Sequence, residues 1–227
     1  RGGIGTVFRN KKIKALVCKI PGVKGNLNNV VHLESIMERG RRFNREMREL
    51  DDKQCQMKQV GTAHLMEIMN DHDLLPVHNY KYGSHPEAYR IDSSIWKKNF
   101  TQNIPDGCWI GCNMSCSKGV DDFEITTGPY KGRKVLVDGP EYENAAGLGA
   151  NCGIFDPGYV IEANFYCDTY GICTITWSTL TAFIMECYEN GILNKERTGG
   201  LELRFGNAGA ALELLHVFLV APRGVDR

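Results

Sequence analysis

Apolar positions Val30, Val31, Leu33, Ile36 and Met37 fall three and four residues apart. That spacing predicts a helix from about Leu27, since such residues share one helical face. The charged run from Glu38 to Lys58 continues it as a solvated helical surface. Gly61-Thr62 introduces a second helix through Leu65, Met66, Ile68 and Met69, which stops before Pro76. A polar loop carries His78 and His85, and a helix from about Pro86 to Asn99 follows. The period then shortens: Phe123–Thr127 and Arg133–Val137 are extended runs, with Gly128-Pro129-Tyr130-Lys131-Gly132 turning between them as a hairpin. Asp156-Pro157 is a helix start, cap then first helical residue, and Gly171 suits the left-handed position at its end. Another helix runs through Leu180, Phe183, Ile184 and Cys187 to Gly191, and a last one from about Asn207 toward Leu219.

The chain's first residues read differently. Arg1-Gly2-Gly3-Ile4-Gly5 is a glycine turn, and Ile13–Cys18 reads as a short, mostly buried strand. Pro21-Gly22 and Gly25-Asn26 break the chain, which puts a domain boundary near Gly25. The expected class is α+β, mainly α: residues 1–25 as the remnant of a β domain, then 26–227 as a helical domain with one β-hairpin. The ragged start and the unclosed end lead us to expect a truncated piece of a longer polypeptide.

Composition narrows the function. Lysine plus arginine equals aspartate plus glutamate at 27 each, which leaves no basic footprint for nucleic acid or an acidic membrane. No apolar run approaches a membrane span. Nine cysteines in 227 residues are too sparse for a disulfide scaffold, and their odd number fits poorly with full pairing. A reducing, cytoplasmic setting with cysteines used as ligands is the expectation.

Three of them, Cys108, Cys112 and Cys116, recur at C-x3-C-x3-C among small residues. Thiolates this close select an iron–sulfur cluster, zinc or copper(I), and Gly107 and Gly111 let the backbone approach a bulky cluster. Spacing alone leaves open a cluster, a zinc knot and three buried free thiols. Further on, Glu141 and Glu143 stand together before the glycines of Gly147–Gly153. A carboxylate in a dry pocket there would shuttle protons, the alternative being two solvated loop glutamates. His78 and His85 are either acid/base groups or hydrogen-bonded loop histidines.

Taken in order, these motifs resemble the aldehyde ferredoxin oxidoreductase family of tungsten–pterin enzymes. The cysteine loop, Gly139-Pro140-Glu141-Tyr142-Glu143, Asn151-Cys152-Gly153-Ile154, Asp168-Thr169-Tyr170-Gly171-Ile172 and Phe205-Gly206-Asn207-Ala208 carry the likeness to about Leu215. The resemblance implies a tungsten (or molybdenum) bis-pyranopterin beside a [4Fe–4S] cluster. Cys108, Cys112 and Cys116 would be three cluster ligands, the fourth lying in a C-terminal domain outside this chain. Asp168, Gly171 and Cys173 fall on the family's pterin-gripping motif, and Arg1, Gly2 and Gly3 on its phosphate-meeting turn. Glu143, ahead of Glu141, would carry protons. The implied partners are a small-molecule substrate and a ferredoxin or another electron-transfer subunit, and a homodimer is compatible.

Three departures stand out: one extra residue in the first cysteine gap, Pro76-Val77-His78-Asn79 for the usual Pro-Thr-Arg-Asn, and Cys173 where the motif has a second aspartate. That thiol would either approach the metal as a soft ligand or pack as a small residue in the pocket wall. The departures fit a divergent branch, in which the alternatives are reduction of an aromatic thioester ring or of a carboxylate on the same cofactors. A non-catalytic iron–sulfur or zinc-stapled module is the alternative outside enzymes.

Overall fold

The structure, a computed structural model, describes residues 3–19, 31–50, 52–101, 105–106, 112 and 114–220. The chain packs as two units, Arg1–Cys55 and Gln56–Arg227. The expected boundary near Gly25 lies outside the described residues.

In the first unit, Gly3 adopts φ 71° and starts helix α1 (Ile4–Asn10) where a plain turn was expected. Helix α2 (Leu33–Arg48) confirms the apolar spacing, with Leu33, Ile36, Met37 and Phe43 exposed along it. The buried strand expected over Ile13–Cys18 is not there: the segment has no regular structure, and Leu16 and Val17 are 77% and 84% exposed. A strand needs a neighbour for its backbone groups, and the described residues of this unit form only helices and loops.

Helix α3 (Asp52–Val60) leads into a 3-10 turn, Gly61–His64, and then α4 (Leu65–Asp71). Ala63 and Met66 are fully buried and anchor this stretch in the core. The helix expected from Pro86 to Asn99 is two pieces, a 3-10 turn over Pro86–Ile91 and helix α5 (Ser93–Asn99). Asp92 breaks them: its backbone is extended, and its Oδ1 accepts the amides of Ser94 (2.8 Å) and Ile95 (3.2 Å), starting a new helix. Trp96 is fully buried with its indole N–H satisfied by Ile91 O at 2.7 Å.

The sheet is antiparallel, in the order β1 (Pro105–Asp106), β2 (Ser117–Glu124), β3 (Lys134–Asp138). The β2–β3 hairpin pairs Val120 with Val137 and Phe123 with Val135, with an irregularity between them where Asp122 takes φ 58°.

Helix α7 (Pro157–Tyr170) is the hub, with both caps as expected. Asp156 Oδ1 accepts Gly158 N at 2.8 Å, and Gly171 takes φ 70°, letting Ile172 N reach back to Cys167 O at 2.8 Å. Tyr159, Val160, Ile161, Glu162, Ala163, Asn164, Tyr166 and Cys167 are all buried, so the helix is covered on nearly every side. Helices α8 (Thr174–Glu189) and α9 (Ala208–Val220) pack against this hub and its surroundings.

Two of the buried side chains on α7 are polar, and both hold the hairpin. Glu162, 2% exposed, accepts the amides of Thr126 (3.1 Å) and Thr127 (2.7 Å) and both their hydroxyls (2.7 and 2.5 Å). Asn164 Nδ2 donates to Asp138 O at 2.5 Å, at the end of β3. The Thr127 hydroxyl spends its proton on Glu162, so His216 of α9 donates to it through Nε2 (3.0 Å) and accepts the Tyr170 hydroxyl at Nδ1 (3.1 Å). Burial holds His216 below its ordinary pKa, in keeping with this neutral form.

Removing the Glu162 carboxylate strands the hairpin's donors in the interior. Glu162→Ala should lower unfolding free energy by about 3 kcal/mol, and Thr127→Ala by about 1 kcal/mol, since the carboxylate then keeps both Thr126 donors and the amide of residue 127. Urea unfolding followed by tryptophan fluorescence measures both midpoints; equal midpoints for Glu162→Ala and the unaltered protein would remove the carboxylate from its central place.

Candidate functional site

The thiol loop comes first. Cys108 lies outside the described residues; Cys112 and Cys116 are half-buried free thiols. Between them Ser115 takes φ 45° and its hydroxyl donates to Cys112 O at 3.3 Å, folding the loop back on itself. Lys118 Nζ donates to Ser115 O at 2.6 Å. Burial lowers the Lys118 pKa, and the Cys116 thiol beside it acts in the opposite direction. Soft sulfur donors with a cation at their edge suit a cluster whose thiolates carry net negative charge. Among the described residues no three His, Cys, Asp or Glu side chains form a metal-binding group; the test of this loop needs Cys108.

Behind the loop sits Gly61, with φ 75°. A Cβ at Gly61 would come 2.0 Å from Cys116 O, so only glycine permits this approach. The next residue, Thr62, reaches the carboxylate turn: its hydroxyl accepts Tyr142 N at 2.9 Å and donates to Glu141 Oε2 at 3.4 Å. Glu141 precedes a short helix α6 (Tyr142–Asn144), and its amide is bound by Asn144 Oδ1 at 2.9 Å. The chain then widens into a π-helical turn, Ala145–Gly149, and tightens again over Ala150–Cys152. Such turns recur at functional sites because they re-aim side chains within a helix.

Glu143 and the π turn form one wall of a cleft of about 240 Å³, closed by Tyr80 and Tyr142 and by Ile175 and Ser178 of α8. Gly147 lets α8 close in, since a Cβ there would meet Ser178 Oγ at 2.4 Å. Glu143 is exposed and borders the cleft, in solvated and not dry surroundings, the second of the two settings the sequence left open for it. Glu141 is engaged with Thr62, so the two carboxylates have different surroundings.

Tyr80 is held in place at a cost. His78, Asn79 and Tyr80 all take left-handed backbone angles, φ 49°, 56° and 64°, each about 1 kcal/mol or more uphill for such residues. Asn79 Nδ2 to Glu186 Oε2 (2.6 Å) and Tyr80 N to Asn151 Oδ1 (3.0 Å) fix the turn. His78 and His85 stack on Phe205 (4.5 Å) and Phe155 (4.4 Å), and His85 Nδ1 accepts Glu87 N, so both serve the loop's packing and do not line the cleft. Burial lowers the His78 pKa, with His85 adding to the effect.

The remaining expected residues lie at the α7–α8 corner or outside this unit. Asp168 closes α7, and partial loss of solvent raises its carboxyl above the usual range although much of the residue is exposed. Gly171 is the helix terminator. Cys173 is the residue before α8; the Thr176 hydroxyl, then the Thr176 and Ile175 amides, face its sulfur and bring the thiol down to about 7, without the geometry of a formed cap bond. Arg1 and Gly2 lie outside the described residues, and Gly3 begins α1 of the other unit. Sequence reasoning missed Thr62, Tyr80 and Lys118 as parts of the site; the basic residue two positions after the last loop cysteine was the one local signal.

A family model described as "Aldehyde ferredoxin oxidoreductase, domains 2 & 3" matches residues 38–219. The chain belongs to the aldehyde ferredoxin oxidoreductase family. It is 33% identical to a tungsten-containing aldehyde ferredoxin oxidoreductase of Pyrococcus horikoshii, over 96% of this chain and 33% of that protein. It is 31% identical to the Thermococcus kodakarensis protein of the same name, over 96% of this chain and 33% of that protein. An aliphatic sulfonate oxidoreductase, WOR-like subunit, of Pyrococcus furiosus is 30% identical over 100% of this chain and 34% of its own. The chain thus spans about a third of the length of the curated relatives it matches.

The thiols of this family member are sorted by environment, and that is measurable. Burial pushes Cys152 and Cys167 up to about 12, while Cys173 is near 7. The thiolate is the reacting form. Iodoacetamide labelling of Cys173 should therefore rise through half its plateau near pH 7 and be absent at Cys152 and Cys167 up to pH 9. Peptide mass spectrometry after timed quenching reads this directly; a Cys173 midpoint near that of an ordinary thiol would refute it.

Proposed function

We propose that the chain is the part of a tungsten–pterin, iron–sulfur oxidoreductase that holds the cluster loop and the proton-transfer carboxylate. What carries this reading is the meeting of two chemistries on one 3-10 turn: Gly61 lies against the Cys116 carbonyl, and Thr62 binds Glu141 and Tyr142. Cys108, Cys112 and Cys116 would bind a [4Fe–4S] cluster. Asp168, Gly171 and Cys173 would grip a pterin; separately, Arg1, Gly2 and Gly3 would form a turn that meets a pterin phosphate. When bound, these groups supply two-electron chemistry at a substrate carbon and single-electron exit to a ferredoxin or partner subunit.

The substrate class is an aldehyde or other oxo compound. Oxidation of an aldehyde with water to a carboxylic acid releases two electrons and two protons. Glu143, at the cleft wall, would take one of those protons at its carboxylate oxygen. Tyr80 and Tyr142 would orient the carbonyl, and Ile175 and Leu74 would give the cleft apolar wall for the rest of the substrate.

Two substitutions in the full-length protein test the assignment. Cys112→Ala should lower iron and acid-labile sulfide together; unchanged iron with full redox activity would sink the cluster loop. Glu143→Gln should cut turnover by about 100-fold or more while leaving tungsten and iron in place. Parallel loss of the metals would instead make Glu143 structural.

A further inference from the structure

Thr62 lies 79 residues before Glu141 in the chain and belongs to none of the motifs above. Its hydroxyl has one proton and donates it to Glu141 Oε2, so the oxygen is free to accept Tyr142 N. Both bonds fall on the two residues just before Glu143. The turn that carries Thr62 is itself immobilised. Ala63 is fully buried, His64 Nδ1 is bonded to Gly61 O at 2.9 Å, and Gly61 touches the backbone of Cys116. A second path runs in parallel, from Gly139 N to Lys118 O at 2.7 Å and from Lys118 Nζ to Ser115 O at 2.6 Å.

We infer that Thr62 is a positioning residue that locks the Glu141–Glu143 turn to the thiol loop, so that the proton carrier and the electron exit keep one fixed geometry. Resting on the function proposed above, this assigns a role to a residue that touches neither the substrate cleft nor the thiols. Its hydroxyl acts through Tyr142 N: without it, the first turn of α6 loses its bond to the Gly61–His64 turn, the path through Gly139 alone remains, and Glu143 is held less firmly. The methyl group of Thr62 has no part in this, so serine should serve and valine should not.

Amide hydrogen exchange tests the lock without needing a substrate. In the full-length protein, Thr62→Val keeps size and shape but offers Tyr142 N no acceptor. Exchange in a peptide covering Glu141–Gly149 should speed up by about tenfold in Thr62→Val and stay at the starting rate in Thr62→Ser. A second readout is turnover of acetaldehyde with benzyl viologen as acceptor. Thr62→Val should lower kcat by about tenfold with KM within about twofold, at unchanged iron and tungsten content, and Thr62→Ser should restore it. Unaltered exchange in Thr62→Val overturns the inference, as does equal loss in the serine variant. Failure of the proton-carrier reading looks different: Glu143→Gln would then turn over normally while the exchange contrast between valine and serine persisted.

Discussion

A carboxylate removed from water governs the larger unit. Glu162 on α7 is buried, and a charge in that position is tolerated because four donors from Thr126 and Thr127 surround it. The bonds tie the hub helix to the hairpin turn. Two residues further along, Asn164 holds the Asp138 carbonyl at the end of β3. The next residues are Gly139, Pro140 and Glu141, so where α7 fixes the hairpin it also fixes where the carboxylate turn begins. The site inherits its position from the interior polar bonds of a helix that contributes little surface of its own.

Local strain is accepted at the cleft and offset by specific bonds. Three successive left-handed residues without a glycine are unfavourable, yet Asn79 and Asn151 anchor them so that Tyr80 stands over the cleft. Across from it α6 presents Glu143 to the cleft, and the π turn that follows replaces regular helix and brings Gly147 against α8. Both are departures from ideal backbone, and both border the same 240 Å³ space. Rigid elements behind, α7 and α8, carry the burial that makes these departures sustainable.

Cysteine chemistry in this chain is decided by surroundings and not by residue type. Cys152 and Cys167 pack as small apolar groups, their thiols kept protonated by loss of solvent. Cys173, among donor groups at the first turn of α8, is ionised more easily than either. Cys112 and Cys116 sit half-buried on a loop shaped by Ser115 and edged by Lys118. That separates the buried thiols from the partly exposed ones.

Much of the fold was legible in the sequence where the cause is local. Asp156, Pro157 and Gly171 bound α7 because caps act within a few residues, and the hairpin followed from its glycine-rich turn. The order of short motifs was enough to find the family, later matched over residues 38–219. Local patterning misled at Ile13–Cys18, where an apolar run has no neighbouring strand among the described residues, and at Asp92, whose cap starts a second helix inside one apolar period. Which glutamate faces the cleft, what holds Tyr80, and that Thr62 binds the Glu141 turn were decided by tertiary structure alone. Those contacts join residues 71 to 107 apart in the chain, a distance at which no periodicity or cap rule operates.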